Sequence, residues 1–174
     1  MIKLNQNSNI RRIDELGRVV IPKDIRKKLH IKDNEPLEIF ISNDEIHIKK
    51  YSSIDDITVY IKYLVDMFNR ITQNKYIVTN RESIIASTEQ KFNGIELNKC
   101  IENLLHSEKQ IKSEYKEILL NDSILIKAFI NTVPIIIDND RSGLIIEYNT
   151  NDKLLNTDIV NIFKNILEEK LNNY

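Results

Sequence analysis

Five cationic side chains lie close together near the start of the chain: Arg11, Arg12, Arg18, Arg26 and Lys27. Guanidinium and ammonium groups bind phosphate oxygens, and a guanidinium also fits the edge of a guanine. Residues 1–51 contain 11 Lys and Arg against 8 Asp and Glu, a net charge of +3, whereas residues 52–174 contain 14 against 18, a net charge of −4. A basic segment is often only a solvated surface. The asymmetry nevertheless favours a DNA-binding surface in the first third of the chain.

The elements that position these side chains follow from local sequence. Two short strands are predicted at 10–13 and 17–21, around a turn in which Gly17 can take a positive φ. Pro22 suits the start of a helix, because its fixed φ is helical and its missing N–H is not needed there. The helix should run to about His30.

A buried edge and a hairpin complete this segment. Ile25 and Leu29, four residues apart, should be the buried edge of the helix. Apolar residues then alternate before and after a turn at 42–44, which predicts two paired strands. The alternating residues are Leu37, Ile39, Ile41, Ile46 and Ile48.

A unit of about 50 residues leaves much of its surface in water and usually requires disulfides, a metal or a partner chain. This segment contains no cysteine and no cluster of metal ligands. Self-association is therefore expected, most simply as a two-fold dimer.

The run RRIDELGRVVIPKDIRKKL, with DNEPLEIF and IHIKKY after it, resembles the AbrB-type swapped-hairpin DNA-binding domain over some forty positions. In that family two chains interleave their hairpins into one β-barrel, and basic residues of the first hairpin and the helix contact double-stranded DNA. The resemblance implies that Arg11, Arg12, Arg18, Arg26 and Lys27 contact DNA. Lys27 stands where arginine is more usual, and a lysine cannot make the two-pronged contact of an arginine.

The rest of the chain is similar to a branch of this family that regulates transcription in developing spores. In that branch a helical linker and a C-terminal GAF domain follow the barrel. The similarity lies mainly in TVPIIIDNDRSGLIIEY and the long helix after it. The expected α+β organisation is a swapped-hairpin domain (1–51), a linker helix (52–73) and a GAF-like domain (74–174). The GAF-like domain would set assembly or bind an unidentified small molecule.

The linker has apolar residues at alternating spacings of three and four, the pattern of a heptad seam. They are Ile54, Ile57, Ile61, Leu64, Phe68 and Ile71. The seam could join chains into a homotetramer, or dock on the sheet of its own chain, and Tyr60 and Val65 widen the apolar face enough to keep both alternatives open.

Strands and helices alternate in the C-terminal part. Strands are predicted at 76–79, 83–87, 124–130, 133–137 and 144–148, and helices at 97–105 and 155–171. Strands in series with flanking helices are typical of an α+β sensor domain.

Residues for catalysis or metal binding are sparse. His30, His47 and His106 have no ligand-like spacing with one another or with Cys100, which we expect to be a small buried hydrophobic residue. We expect no enzyme activity, catalytic residue, metal or cofactor. No apolar run approaches the roughly 18 to 20 residues that cross a bilayer, and MIKLNQNSNI lacks the apolar core of a signal peptide. We therefore expect a cytoplasmic, nucleoid-associated protein without membrane contact.

Two classes of function remain. The first is a sequence-specific transcriptional regulator, an activator or a repressor, of sporulation genes. The second is an antitoxin-like protein, because the same barrel occurs in antitoxins whose tails neutralise a toxin. Such tails are typically disordered and acidic, whereas the second half of this chain is long and periodically apolar.

Overall fold

The computed structural model describes residues 10–29, 31–33, 36–107, 109–121, 124–137, 139–151 and 153–172. The chain forms two compact units, residues 1–51 and 52–174. Both contain helices and strands, so the chain is of the α+β class. None of the described helices is both long enough and apolar enough to span a membrane.

The first unit contains a short helix and a two-stranded antiparallel hairpin. Helix α1 spans Lys23–Lys28, strand β1 spans Leu37–Ser42 and strand β2 spans Glu45–Lys50. Between the strands, Asn43 and Asp44 have φ of 49° and 61°. Two successive left-handed residues give the twist that a tight hairpin requires. The hairpin predicted from alternating isoleucines is confirmed.

The prediction of strands at 10–13 and 17–21 is wrong for a single chain. A turn lies between the two segments, closed by a bond from the Asp14 N–H to the Arg18 carbonyl oxygen at 3.1 Å, but neither segment forms a strand. Val19 and Val20 are 50% and 74% exposed. A strand requires a neighbouring backbone to complete its hydrogen bonds, and within the described part of one chain these segments lack one.

Helix α1 is shorter than predicted. It ends at Lys28, and Leu29 is 51% exposed rather than buried, whereas Ile25 is half-buried. The predicted end at His30 lies outside the described residues.

The second unit is a five-stranded antiparallel sheet between two layers of helices. Its helices are α2 (Ser53–Asp56), α3 (Thr58–Thr72), α4 (Lys99–His106) and α5 (Thr157–Asn172). Its strands are β3 (Lys75–Thr79), β4 (Ile84–Ser87), β5 (Glu114–Asn121), β6 (Ile124–Ile137) and β7 (Asp140–Asn149). The strand order is β4-β3-β7-β6-β5, and a 3₁₀ helix spans Gln90–Phe92.

Each face of this sheet has its own apolar core, because successive residues of a strand point to opposite faces. Helices α2, α3 and α5 cover one face, where Phe68, Tyr76 and Phe163 pack their rings together. Helix α4 covers the other face through Ile101 and Leu105.

The predicted linker helix is two helices, with a break at Ile57. The seam residues up to Phe68 are at most 5% exposed and belong to the core on the α3 face of the sheet; they are Ile54, Ile57, Ile61, Leu64 and Phe68. Ile71, the last seam residue, is 71% exposed. The seam therefore packs on the sheet of its own chain, and a contact between chains through these five side chains would have to displace this packing.

Two further predictions for this unit need correction, and one strand was missed. Strand β5 was not predicted at all, and the predicted strands 124–130 and 133–137 are one strand, β6. The predicted burial of Cys100 is wrong, because α4 turns Ile101 and Leu105 to the sheet and leaves Cys100 exposed.

Candidate nucleic-acid interface

A closed turn at Asp14–Gly17 precedes Arg18. Gly17 has a φ of 75°, a conformation that other residues rarely adopt, and its N–H donates to the Asp14 carbonyl oxygen at 2.9 Å. The Asp14 Oδ1 accepts the backbone N–H groups of Leu16 at 3.0 Å and Arg18 at 2.8 Å. An aspartate that bonds the backbone ahead of it stabilises such a turn.

The Arg18 side chain is hydrogen-bonded to the Asp14 carboxylate of this turn and is exposed to solvent. Its Nε donates to Asp14 Oδ2 at 2.8 Å, while its side chain is 71% exposed. The backbone N–H of Arg18, and then its side chain, hold the pKa of the Asp14 carboxyl below its usual range. Asp14 is therefore ionised at neutral pH, and Arg18 is presented in a defined direction.

The other predicted DNA-contacting residues also lie in the first unit. Arg11 and Arg12 are exposed ahead of the turn, and the Arg11 Nη1 donates to the Ile10 carbonyl oxygen at 3.1 Å. On α1, Lys27 is exposed and Arg26 is half-buried. The Arg26 Nη1 donates to Asp33 Oδ1 at 2.6 Å.

Asp14 and Asp33 were not predicted as partners of the arginines. The spacing of Asp14, Gly17 and Arg18 contains a signal for the first, because an aspartate three residues before a glycine is typical of a side-chain-closed turn. The pairing of Asp33 with Arg26 spans seven residues and has no comparable local signal.

The β1–β2 hairpin has one apolar and one polar face. Ile39 pairs with Ile48 and Ile41 with Ile46, and these four side chains are 66%, 42%, 79% and 69% exposed, respectively. On the opposite face, Phe40 stacks on His47 with ring centroids 5.3 Å apart. No residue of the first unit is among the buried apolar residues of the described chain. In a single chain, the described residues of this unit therefore form no apolar core.

Helix α3 presents a second apolar stripe, which starts on its exposed side at Val59 and reaches the end of the seam at Ile71. Val59, Tyr63 and Ile71 are 83%, 62% and 71% exposed, and Met67 between them is half-buried. Side chains four residues apart form a ridge along a helix. We call these four residues the α3 ridge.

A groove of about 280 Å³ lies between α4 and the edge strand β5. Its apolar wall contains Cys100, Leu104 and Ile118, and Lys116 and Glu117 lie at its polar side. Across the described ranges, no group of three or more His, Cys, Asp or Glu side chains is arranged to hold a metal.

Known proteins resemble both parts of the chain. Residues 10–56 match the family model described as "Antidote-toxin recognition MazE, bacterial antitoxin". Stage V sporulation protein T of Bacillus subtilis (strain 168) is 32% identical over 143 residues, which cover 79% of this chain and 80% of that protein. Transition state regulatory protein AbrB of the same organism is 48% identical over 42 residues, 24% of this chain and 44% of that protein.

The similarity to stage V sporulation protein T includes both units, because 143 residues cannot fit within either one. The similarity to AbrB, at 42 residues, is of the size of the first unit alone. The chain therefore belongs to the family of stage V sporulation protein T, with an AbrB-type domain at its N-terminus.

Proposed function

We infer that this chain is a sequence-specific, DNA-binding transcriptional regulator of sporulation genes. The names of its relatives, a sporulation protein and a transition state regulatory protein, support this role. The observation that carries it is the guanidinium of Arg18, which is 71% exposed and held by Asp14 on a closed turn of the AbrB-type unit. Such a regulator would work in the cytoplasm, at the nucleoid.

Arg11, Arg12, Arg18, Arg26 and Lys27 are the proposed DNA contacts. Arginine can pair with both acceptors of a guanine, whereas lysine acts as a single point charge on phosphate. With so few side chains able to contact bases, DNA shape and deformability should supply part of the selectivity.

The first unit should bind DNA as a homodimer. Its exposed isoleucines would cost free energy in water, at roughly 25 cal/mol for each Å² of apolar surface left unburied. A swapped-hairpin barrel would bury them between two chains and would give segments 10–13 and 17–21 the strand partners that a single chain lacks. The two sets of arginines would then face two DNA half-sites related by a two-fold axis.

Selection from a randomised pool of DNA duplexes tests the proposed function. The full chain should enrich one family of duplexes with two-fold symmetry, because a symmetric dimer presents the same surface twice. Enrichment of no sequence over the starting pool would contradict the proposal.

Salt dependence should separate phosphate contacts from base contacts. Each phosphate contact adds about 0.9 to the slope of log affinity against log salt, so Lys27→Ala should lower the slope by about 1.8 for a dimer. Titrations of a selected and a scrambled duplex at several salt concentrations measure this slope. Lys153→Ala removes the same charge from an exposed position of the second unit and should leave the slope unchanged. A loss for Lys27→Ala confined to the selected duplex would make Lys27 a base contact instead.

The second unit is proposed to be a GAF-like domain that sets assembly or binds a small molecule. Its five-stranded antiparallel sheet, with helices on both faces, supports this proposal. The groove between α4 and β5 is the proposed binding site for such a molecule. No cofactor is proposed.

We propose that the homodimers pair into a homotetramer through the α3 ridge rather than through the predicted seam. The seam side chains from Ile54 to Phe68 already fill the core of their own unit, whereas Val59, Tyr63 and the last seam residue, Ile71, are exposed. Ridges of residues four apart pack into the grooves of a second helix.

A charge on the α3 ridge should therefore dissociate the tetramer. Tyr63→Glu would place a carboxylate in the interface between dimers, where burial of an unpaired charge is costly. Sedimentation should give four chains for the wild type and two for Tyr63→Glu. Asn103→Glu, which adds the same charge to an exposed position of α4, should remain tetrameric. A Tyr63→Glu protein with the mass of the wild type would exclude the ridge.

The description of the matching family model favours an antitoxin-type protein as the second candidate. Antitoxin tails are typically disordered and acidic until they bind a toxin, whereas the second unit contains a sheet with two apolar cores. This contrast favours the regulator. A toxin gene next to the gene for this chain would favour the alternative.

A further inference from the structure

The Asp14 carboxylate joins the turn to the Arg18 side chain. Its Oδ1 accepts the backbone N–H groups of Leu16 and Arg18, at 3.0 and 2.8 Å, and its Oδ2 accepts the Arg18 Nε–H at 2.8 Å. The backbone is closed at the same place by the bond from the Asp14 N–H to the Arg18 carbonyl oxygen at 3.1 Å. One residue therefore fixes both the backbone and the side-chain direction of Arg18.

Asp14 binds the Nε of Arg18 and not one of its two Nη atoms, and this choice of atom determines which donors remain for DNA. A guanidinium carries five N–H donors in a rigid plane, one on Nε and four on the two Nη atoms. The Nη edge matches the O6 and N7 acceptors of guanine. Because Asp14 binds Nε, the Nη edge is left for a ligand, and because the group is planar, holding Nε also sets the plane of that edge.

We propose that Asp14 is a positioning residue for DNA recognition, which holds the Arg18 guanidinium in the orientation that pairs with a guanine. The proposal rests on the DNA-binding function proposed above. Asp14 itself makes no DNA contact in this proposal. Its effect is to order a long side chain before DNA arrives, so that less conformational entropy is lost on binding.

The ion pair should contribute little to folding. Its side chains are 71% and 42% exposed, and solvent-exposed pairs of this kind have small effects on stability. Loss of the pair should therefore appear in DNA selectivity and not in the unfolding transition.

Asp33 provides a matched comparison. It accepts from the Nη1 of Arg26 at 2.6 Å, so it occupies the outer edge of that guanidinium rather than its Nε. A ligand that pairs with the whole Nη edge must compete with Asp33 for this nitrogen. Asp33 should therefore compete with DNA, whereas Asp14 should prepare Arg18 for it.

An effect through charge and an effect through positioning can be told apart in Asp14→Asn, because they change different quantities. Removing a negative charge near DNA strengthens binding to every duplex through electrostatics alone. Positioning instead predicts a loss of preference for the correct sequence. In Asp14→Asn, the amide oxygen still accepts the backbone N–H groups, so the turn is kept, but the amide nitrogen cannot accept from the Arg18 Nε.

The test uses the full chain and a duplex that the wild type enriches from a randomised pool, with a scrambled duplex of the same composition for reference. The readout is the ratio of the two affinities for wild type, Asp14→Asn, Asp33→Asn and Arg18→Ala. Asp14→Asn should lower this ratio about tenfold or more, the size of one bidentate base contact. Asp33→Asn should leave it within about twofold and strengthen binding to both duplexes. In an Arg18→Ala background, Asp14→Asn should lower the ratio no further.

If Asp14→Asn has the same ratio of affinities for the two duplexes as the wild type, Asp14 does not position Arg18. If Arg18→Ala still lowers that ratio in the same experiment, the proposed base contact of Arg18 is retained. The positioning role is also overturned if Asp14→Asn lowers the affinity ratio as much in the Arg18→Ala protein as in the wild type, because Asp14 would then act independently of Arg18. If the wild type enriches no sequence, the positioning role and the proposed function fail together. Circular dichroism and sedimentation check folding and assembly. If Asp14→Asn fails either check, Asp14→Ser replaces it, because serine can still bond the turn but is too short to reach Nε.

Discussion

Arg18→Ala should strongly reduce the preference of the chain for its selected duplex while leaving the protein folded and assembled like the wild type. The Arg18 side chain is exposed and leaves the Nη edge of its guanidinium for a ligand, so its removal deletes a base contact without opening a cavity. The expected loss is about 1 to 3 kcal/mol of binding free energy at one base position. Gel-shift titration against a panel of duplexes with single base changes measures it.

Arg18→Lys is the matched variant for this prediction. It keeps the positive charge but lacks the rigid two-pronged edge, so binding to a scrambled duplex should be retained while the preference for the selected duplex falls. Circular dichroism and sedimentation should match the wild type for both variants. An Arg18→Ala protein that discriminates between the duplexes as the wild type does would exclude Arg18 as a base contact.

Glu147→Gln should destabilise the second unit without changing the size of the side chain. Glu147 is 0% exposed, and its carboxylate accepts from the Asn74 Nδ2 and the Tyr76 hydroxyl, both at 2.8 Å, and from the Asn131 Nδ2 at 2.7 Å. Burial raises the pKa of Tyr76 far above its usual range, so its hydroxyl stays protonated and donates. Glutamine has nearly the shape of glutamate but turns an acceptor into a donor.

The partners of Glu147 cannot adapt to this change. The Asn74 Oδ1 accepts from the Asn149 Nδ2 at 2.7 Å, and the Asn131 Oδ1 accepts from the Ser113 N–H at 2.7 Å. A flip of either amide would break one of these bonds. At least one buried donor is therefore left without an acceptor, which costs about 1 to 3 kcal/mol.

Urea unfolding of the full chain, followed by tyrosine fluorescence, measures this loss as a lower midpoint for the second unit. Glu117→Gln is the matched control, because Glu117 is an exposed β5 residue whose ion pair with Lys127 is 2.7 Å long at the surface. Its midpoint should stay close to that of the wild type. Equal midpoints for the two variants would show that the Glu147 contacts contribute no more than a surface pair.

The sequence pattern predicted the elements whose apolar residues alternate clearly around a recognisable turn. The β1–β2 hairpin follows from isoleucines at alternate positions around a Ser-Asn-Asp turn, and both strands are present. Strand β5 was missed because it lies at the edge of the sheet, where Lys116 and Glu117 are exposed and interrupt the alternation. An edge strand buries too little to be visible in its sequence.

Local pattern could not decide what a buried stripe packs against. A heptad seam docks equally well on another helix or on a sheet, and its five residues from Ile54 to Phe68 are buried on the sheet of their own unit. The prediction that Cys100 is buried was wrong for a related reason. Cys100 adjoins the buried Ile101 in sequence, but a helix rotates by about 100° per residue, and the side of α4 that contains Cys100 is exposed.

The basic residues of the candidate interface were predicted from residue type and from family resemblance, and their contact with DNA stays a prediction. Their carboxylate partners were not predicted, because the bonds from Asp14 and Asp33 to arginines depend on turn geometry that charge counting does not contain. The same holds for assembly. The sequence indicated an apolar stripe on the linker, and the packing of α3 identifies which of its faces is exposed.

Hydroxyl-radical footprinting of the full chain on its selected duplex tests whether the AbrB-type unit binds DNA as a symmetric dimer through Arg18. A dimeric AbrB-type unit that binds DNA with its arginines should protect two patches of backbone related by a two-fold axis, and Arg18→Ala should protect neither at the same concentration. A single asymmetric patch, or protection that survives in Arg18→Ala, would contradict the account.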